Sequence, residues 1–332
     1  MVEFAEKMET QEIREWASKV TRKTELTDAE KNISKEVDAW AKKIGETGAD
    51  ANREIAAFII KTMSDEVYDK PDALLDLMFD RDSIGEFDDY RIEKTPKNTL
   101  VVHEAAKGGN VDRSYIDTGY LEPTWKHLQL ETELKYSDLR RNGFRTIANL
   151  TMFADEAFQN KKIKTVFDIL DAAIVGANQV IAITGNESAL TKTAMDKLSL
   201  YVLDHLADGD SGIAFGLNKY AQAIANMAGY ESYMSSTMKD DYNRYGLVKE
   251  YGGMLISGFS GARKAADGEL LVPDRKIFGI SGKVGMICDR GEMRVYEDYD
   301  NASERIKLKF TGVEFGVKVT SPEKVAKITF TA

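Results

Sequence analysis

The sequence contains a single cysteine, Cys288, among its 332 residues. One cysteine cannot form an internal disulfide or build a cysteine-based metal site, and a free cysteine usually behaves as a small buried hydrophobic residue. We therefore expect Cys288 to lie in the core. Histidine is also scarce, and the three histidines lie far apart without a second ligand at metal-binding spacing, so zinc chemistry is not supported.

Long apolar runs and an excess of basic residues are also missing. No stretch reaches the length of about 18 apolar residues that a membrane span needs, and the N-terminal stretch MVEFAEKMETQEIREW has no apolar signal core. We therefore expect a soluble protein kept in the reducing cytoplasm. The 45 Lys and Arg are outnumbered by 55 Asp and Glu, giving a net charge of −10. Such a chain does not wrap nucleic acid, although an acidic container can enclose DNA without adhering to it.

Motifs of catalysis and cofactor binding are absent as well. In the glycine-rich stretch IFGISGKVG (277–285), Ile277 stands where a P-loop needs its first glycine, and Val284 follows Lys283 where Ser or Thr is required. The sequence has no G-x-S-x-G elbow and no H-E-x-x-H motif, and the acidic stretch 297–304 lacks the ligand ladder of an EF-hand. We predict no enzyme activity, no metal and no cofactor. The glycines of 277–285 are interpreted as turn and close-packing positions between strands.

Helical patterns fill the first seventy residues, which contain no proline. Thr27 and Glu30 have the spacing of a capping box, and an amphipathic stripe follows from Ile33 to Ile44. A third helix is predicted at about 52–68. The apolar stripes are thin, so these helices need a partner. The sequence leaves open whether that partner is the rest of the same chain or a neighbouring copy.

Strand patterns begin after residue 88. The segments 98–105 and 126–136 alternate apolar and polar residues, as half-exposed strands do. The polar stretch between them is rich in Gly, Asp and Asn, and such long excursions usually project from a domain or bind a partner. We predict an extended hairpin whose tip reaches away from the core.

The strongest helical pattern covers 137–175, where Gly143 is expected to delay the start. Further helices are predicted at 193–206 and at 218–229, with Asn218 as the cap of the second, and a short buried strand at 213–216. Strands and turns follow from residue 247 to the end. The fold class is therefore α+β with a helical arm.

A group of tyrosines and methionines lies between residues 227 and 251. Aromatic residues and methionine are enriched in protein interfaces, but they also fill ordinary cores. The sequence alone leaves both interpretations open. The group consists of Met227, Tyr230, Tyr233, Met234, Met238, Tyr242, Tyr245 and Tyr251.

The order of these elements resembles the major capsid protein of tailed bacteriophages, the Hong Kong 97 fold that encapsulin shells share. The resemblance is carried mainly by LLVPDRKIFGISGKVG (270–285) and VYEDYDNASERIKLKFTGVEFGVKVTSPEKVAKITF (295–330), which are similar to the C-terminal strands of that family. Upstream, 95–136 resembles the extended loop of the family and 137–175 its spine helix.

The resemblance implies a domain map. Residues 1–80 would form an N-terminal helical arm, 81–136 the extended loop region, 137–190 with 301–332 a peripheral domain that contains the spine helix, and 191–300 an axial domain.

The resemblance also implies a function. Copies would assemble into pentamers and hexamers that form an icosahedral shell around double-stranded DNA, as part of a virion capsid assembled in the host bacterial cytoplasm. Scaffolding, portal and decoration proteins are possible partners; sequence-specific DNA binding and membrane binding are not expected. An encapsulin-like compartment, or an enzyme or ligand-binding protein of another family, is the alternative. The interface residues expected between subunits are Trp16, Trp40, Lys107, Asp112, Arg113, Glu122 and Tyr245.

Overall fold

The computed structural model describes residues 10–44, 55, 58, 73–93, 100–104, 114, 116, 119–207, 210–232, 234–262, 264–265, 268–291, 294–300 and 302–331. These residues divide into two compact units. Unit 1 contains the described residues up to 71, Lys126–Lys162 and Arg290–Phe315, and unit 2 contains Asp72–Trp125, Ile163–Asp289 and the chain from Gly316 onward.

Unit 1 begins with two amphipathic helices, α1 (Thr10–Arg22) and α2 (Asp28–Lys42). The predicted capping box is present, because the Thr27 side chain accepts the Glu30 backbone N–H while the Glu30 carboxylate accepts the Thr27 N–H at 2.6 Å. Lys19 of α1 donates to the same carboxylate at 2.6 Å, which joins the two helices. The predicted third helix falls almost wholly outside the described residues.

The longest helix of the chain, α4, spans Tyr136–Ala173 and contributes its first part to unit 1. Its start precedes the predicted one by a single residue, and Gly143 interrupts the helix with non-helical backbone angles instead of delaying it. The carboxylate of Asp38 accepts the N–H of Phe144 at 3.1 Å, just after this interruption. Arg140 donates to the carbonyl of Ile44 at 2.8 Å. Helix α2 therefore packs on α4 of its own chain, one of the two alternatives that the sequence left open.

A sheet in unit 1 is formed by β4 (Thr124–Lys135), β11 (Arg294–Asp300) and β12 (Arg305–Val319), with β12 pairing both other strands. Alternate residues of β12 are fully buried, namely Ile306, Leu308 and Phe310. The strand predicted at 126–136 is thus confirmed. The strand predicted at 98–105 is wrong over its described part, because residues 100–104 are not in a strand.

Unit 2 is built on a six-stranded sheet in the order β5-β13-β9-β6-β8-β7. Strand β6 lies in its interior and every residue of it is buried, which explains its continuous apolar sequence IAFGL. The strands are β5 (Val180–Thr184), β6 (Gly212–Leu217), β7 (Glu250–Tyr251), β8 (Met254–Phe259), β9 (Lys276–Ser281) and β13 (Val325–Thr331).

Helices of unit 2 include α3 (Ala73–Met78), α5 (Lys192–Asp204), α6 (Asn218–Ala225) and α7 (Ser236–Tyr245). The helices predicted at 193–206 and 218–229 are confirmed, although the cap of α6 is Leu217 and not Asn218. Strand β1 (Phe79–Ile84) pairs with β10 (Gly285–Arg290), and β2 (Ile92–Glu93) pairs antiparallel with β3 (Tyr120–Leu121). The β2–β3 pair closes the base of the segment 94–119.

The glycine-rich stretch around Lys283 is a turn between β9 and β10. Gly282 has a φ of 70°, a conformation that favours glycine. Cys288 of β10 is fully buried, as predicted. Lys283 is half exposed and forms an ion pair with Asp80, so the structure gives this lysine a surface charge partner.

Replacing Gly285 should disturb this turn strongly. A Cβ at this position would overlap the carbonyl oxygen of Lys318 and lie 2.8 Å from Cε1 of Phe79. Because a backbone carbonyl cannot move aside cheaply, we expect Gly285→Ala to lower the free energy of unfolding by about 1–3 kcal/mol. Denaturant unfolding measures this change. Gly261→Ala is the control, since its Cβ would meet only Leu270 at 3.8 Å; equal losses in both variants would contradict the packing argument.

An ion-pair cluster joins the end of α4 to two strands of unit 2. Asp171 accepts hydrogen bonds from Lys276 of β9 at 2.5 Å and from Lys327 of β13 at 2.9 Å. Burial alone would raise the pKa of the Asp171 carboxyl, but the hydrogen bonds and charges of the two lysines outweigh it and hold the pKa below its usual value.

The Asp171 cluster predicts a pH dependence of stability. A carboxyl whose pKa is lowered by folding stabilises the protein above its unfolded pKa of about 3.9, and this contribution is lost as the pH falls through the folded pKa. We expect Asp171→Asn to cost about 1–3 kcal/mol at pH 7, and the difference from the unaltered chain to vanish in strong acid. Denaturant unfolding at both pH values tests this.

The control for Asp171 lies one turn earlier on α4. Asp168 is mostly exposed, and its carboxylate lies 3.7 Å from the Lys164 ammonium, too far for a hydrogen bond. Asp168→Asn should therefore change the free energy of unfolding by less than about 0.5 kcal/mol at either pH. A loss in Asp171→Asn that persists unchanged in acid would contradict the assigned role of the carboxylate.

Candidate assembly surfaces

The described residues offer no metal centre. Within them, no group of three or more His, Cys, Asp or Glu side chains lies close enough to hold an ion. His127 contacts the Thr311 hydroxyl at 3.0 Å on the sheet surface of unit 1. Across the same ranges, no helix is both long and apolar enough to cross a membrane. The remaining candidate sites are surfaces.

The two predicted interface tryptophans are placed differently. Trp16 is fully buried in unit 1, where its indole N–H donates to the Ser34 hydroxyl at 2.9 Å and its ring lies 6.4 Å from that of Phe144. The structure therefore gives Trp16 a place in the core of its own chain and no exposed face. Trp40 is half buried at the surface of α2. A role of either residue between subunits stays a prediction.

The other predicted interface residues lie around the hairpin and at the end of α7. Glu122 is exposed between β3 and β4. Tyr245 is 61% exposed, and the Lys249 ammonium lies 4.6 Å from the centre of its ring. Lys107, Asp112 and Arg113 lie outside the described residues. The structure brings none of the described predicted residues together into one cluster.

The tyrosine and methionine group divides between core and surface. Met227, Tyr230 and Tyr251 are buried, Met234, Met238 and Tyr242 are half buried, and Tyr245 is exposed; Tyr233 lies outside the described residues. Tyr251 donates to Asp196 of α5 at 2.7 Å. Burial, followed by the nearby carboxylate, raises the pKa of this tyrosine. The group therefore contains core residues as well as surface residues.

Several exposed apolar residues lie in or beside the segment between β2 and β3. Leu100, Val101 and Val102 form a consecutive exposed run, and Val102 is 96% exposed. Ile116 and Tyr120 on the returning part of the segment are also exposed. We call these five residues the loop apolar surface. Runs of exposed apolar residues such as 100–102 are typical of protein interaction sites.

The interface residues predicted in this segment are charged, and their role stays a prediction. The structure shows an exposed apolar run, LVV at 100–102, in the same segment. The alternating pattern of 98–105 predicted that half of these side chains would be covered by a sheet. Residues 100–104 do not form a strand, and Leu100, Val101 and Val102 are each more than half exposed.

The outer face of the unit 1 sheet is polar and internally balanced in charge. Asp298 pairs across the strands with Lys307, and Tyr296 with Lys309. Arg305 donates to Glu133 of β4 at 2.6 Å. Opposite charges on neighbouring strands stabilise the sheet and discourage edge-to-edge pairing.

The structure also contains a hollow in unit 2, at the end of α6. Its volume is about 480 Å³, and Met227, Met234, Lys239, Tyr242 and Asn243 contribute to its wall. The Tyr242 hydroxyl donates to Asn226 at 3.1 Å and fixes one side of it. We call it the α6–α7 hollow.

Comparison with known proteins shows the family to which this chain belongs. Residues 10–329 match the model of the family described as "SPbeta prophage-derived putative capsid protein YonB". No curated protein sequence matches this chain significantly.

Solved structures share the fold. The mature capsid of bacteriophage PhiM1 is similar with a TM-score of 0.53 at 12% identity, covering 76% of this chain and 85% of that chain. The capsid of a native GTA particle is similar with a TM-score of 0.56 at 12% identity, covering 78% of this chain and 90% of that chain. A structure from Microbacterium phage Oxtober96 is similar with a TM-score of 0.52 at 13% identity, covering 79% of this chain and 93% of that chain. These likenesses show that the predicted capsid fold is correct.

Proposed function

The chain belongs to the YonB family of prophage-derived capsid proteins, and from this premise we propose that it assembles into pentamers and hexamers of an icosahedral shell. Its role is that of a structural major capsid protein of the virion. The proposal extends to what the shell contains, double-stranded DNA held without sequence-specific contacts, and to assembly in the host bacterial cytoplasm. Scaffolding, portal and decoration proteins are the partners that such a shell would use.

The observation that carries this proposal is the loop apolar surface. Val102 buries almost nothing within its own chain, and a single subunit gains nothing by presenting it to water at 96% exposure. Burial of such a run on a neighbouring copy would release this apolar area from water, at about 25 cal/mol for each Å². Permanent assemblies typically use interfaces of several thousand Å², which are more apolar than transient ones.

The net charge of the chain favours a container over a protein that binds nucleic acid through its surface. The net charge of −10 and the balanced outer face of the unit 1 sheet give packaged DNA little to adhere to. A structural role without catalysis is part of the same proposal, since capsid subunits act through their contacts.

The domain map remains a proposal as well. It assigns 1–80 to the arm, 81–136 to the extended loop region, 137–190 with 301–332 to the peripheral domain and 191–300 to the axial domain. The long helix α4 supports the assignment of a spine helix. The two compact units have limits different from those of this map. The map assigns β5 and β13 to the peripheral domain and β9 to the axial domain, whereas the three strands share one sheet.

Electron microscopy of the purified full-length protein tests the proposed function. We expect shells, tubes or ring-shaped capsomers in negative stain when protein concentration and salt are varied. Particles would carry DNA when isolated from infected or induced cells. A monomer that persists across all salt and protein concentrations would contradict the proposal.

A further inference from the structure

Helix α5 exposes leucine side chains on the side opposite its buried face. Leu200 and Leu203 are 61% and 42% exposed, and with the exposed Asp204 they occupy positions i, i+3 and i+4 of one helix face. The side chain of Leu203 lies 3.3 Å from where a Cβ on Gly253 would be, so α5 and the β7–β8 hairpin meet here. We call Leu200, Leu203 and Asp204 the leucine face.

The α6–α7 hollow has properties that complement the leucine face. Methionines 227 and 234 supply part of its wall, and their flexible, polarisable side chains adapt to an inserted apolar group. The charged residue of its wall is Lys239, which is exposed and lies one turn before Asn243 on the same face of α7. The leucine face carries an acidic residue at its edge and the hollow carries a basic one.

We propose that the leucine face of one copy docks into the α6–α7 hollow of the next copy around a capsomer, with Asp204 beside Lys239. This proposal rests on the proposed function and names a contact that serves it. The two surfaces consist of different residues, so the contact is heterologous, and repeated contacts of this type close into rings when the rotation permits. Complementary charge fixes the register of the contact and speeds encounter, while the leucines supply the buried apolar area.

A cross-linking experiment tests the contact directly. Cys288 is fully buried, so cysteines introduced at the surface are the reactive ones. The full chain with both Leu200→Cys and Asn243→Cys should, after mild oxidation of assembled particles, give a ladder of linked chains on a non-reducing denaturing gel. We expect at least about tenfold more linked chain than in either single variant, because a disulfide needs the two Cα atoms within a narrow distance range.

A matched control pair uses an exposed position outside both surfaces. Val175 is 85% exposed, and Val175→Cys combined with Asn243→Cys should link no more than the single variants. Linked chain in this control at the level of the Leu200 pair would overturn the proposal, since the cross-links would then report random collision.

Exchange of the two charges gives a second test that needs no cysteine. Asp204→Lys and Lys239→Asp should each raise the protein concentration needed for assembly by about tenfold at low salt, and the double variant should return close to the original value. Light scattering follows assembly, and circular dichroism verifies that each variant is folded. A double variant as impaired as the sum of the single variants would overturn the pairing.

The outcomes separate this inference from the proposed function. Particles that form normally, without cross-links between 200 and 243 and without charge rescue, would remove the docking contact and leave the capsid function intact. If the unaltered chain never forms particles or capsomers, the proposed function fails and the contact fails with it.

Discussion

Phe167→Ala should lower the free energy of unfolding of this protein by about 3–5 kcal/mol, the range for removing a fully buried phenylalanine. Phe167 lies on α4 with no exposed surface, and its ring centre is 5.3 Å from that of Phe215 on β6 and 6.3 Å from that of Phe259 on β8. The substitution removes apolar burial and two aromatic contacts and leaves a cavity between the helix and the sheet. Chemical denaturation followed by circular dichroism measures the loss.

Phe153→Ala is the matched control for Phe167. It is the same substitution on the same helix, but Phe153 is 60% exposed. We expect a change of less than about 1 kcal/mol, because little apolar area is withdrawn from the core. Comparable losses in the two variants would show that α4 is not packed on the sheet as the structure describes. Any effect of Phe153→Ala on assembly would be separate from subunit stability.

Val102→Asp should block assembly while leaving the isolated subunit as stable as before. Val102 contributes nothing to the core of the subunit, since it is the most exposed residue of the loop apolar surface. If this surface is covered by a neighbouring copy, an aspartate there would have to be buried without a partner. At about 1.4 kcal/mol for each tenfold change, the loss of one buried valine alone raises the concentration required for assembly by at least tenfold.

Two measurements on the Val102 variants separate assembly from folding. Sedimentation or light scattering gives the concentration at which particles appear, and denaturant unfolding gives the stability of the subunit. Val102→Ile is the control at the same position, because it keeps an apolar side chain and should assemble like the unaltered protein. Normal particles from Val102→Asp would refute the role assigned to the loop apolar surface.

Local patterns were predicted well wherever a single element decides them. The capping box of Thr27 and Glu30, the helix from residue 136 to 173 and the buried strand β6 all follow from spacing that the neighbouring residues impose. The turn at Gly282 is equally local, since a positive φ depends on the residue itself. The family resemblance, carried by the C-terminal strands, gave the capsid fold.

Predictions that depended on distant partners were less successful. The pattern of 98–105 predicted a strand, but a strand forms only where another strand supplies its hydrogen bonds, and residues 100–104 are not in one. The role predicted for Trp16 between subunits stays a prediction; within the chain, the structure buries it near Phe144, more than a hundred positions away.

By itself, the sequence determined the class of elements, their order and the absence of recognisable catalytic motifs, because periodicity, capping and motif spacing are properties of neighbouring residues. Only the tertiary structure decided which apolar residues remain in water. Val102 and Leu200 have the same apolar character as Val202 and Leu198, yet the first two are exposed and the last two are buried. Burial is set by what the rest of the chain places over a side chain, and that depends on pairings that no local pattern encodes.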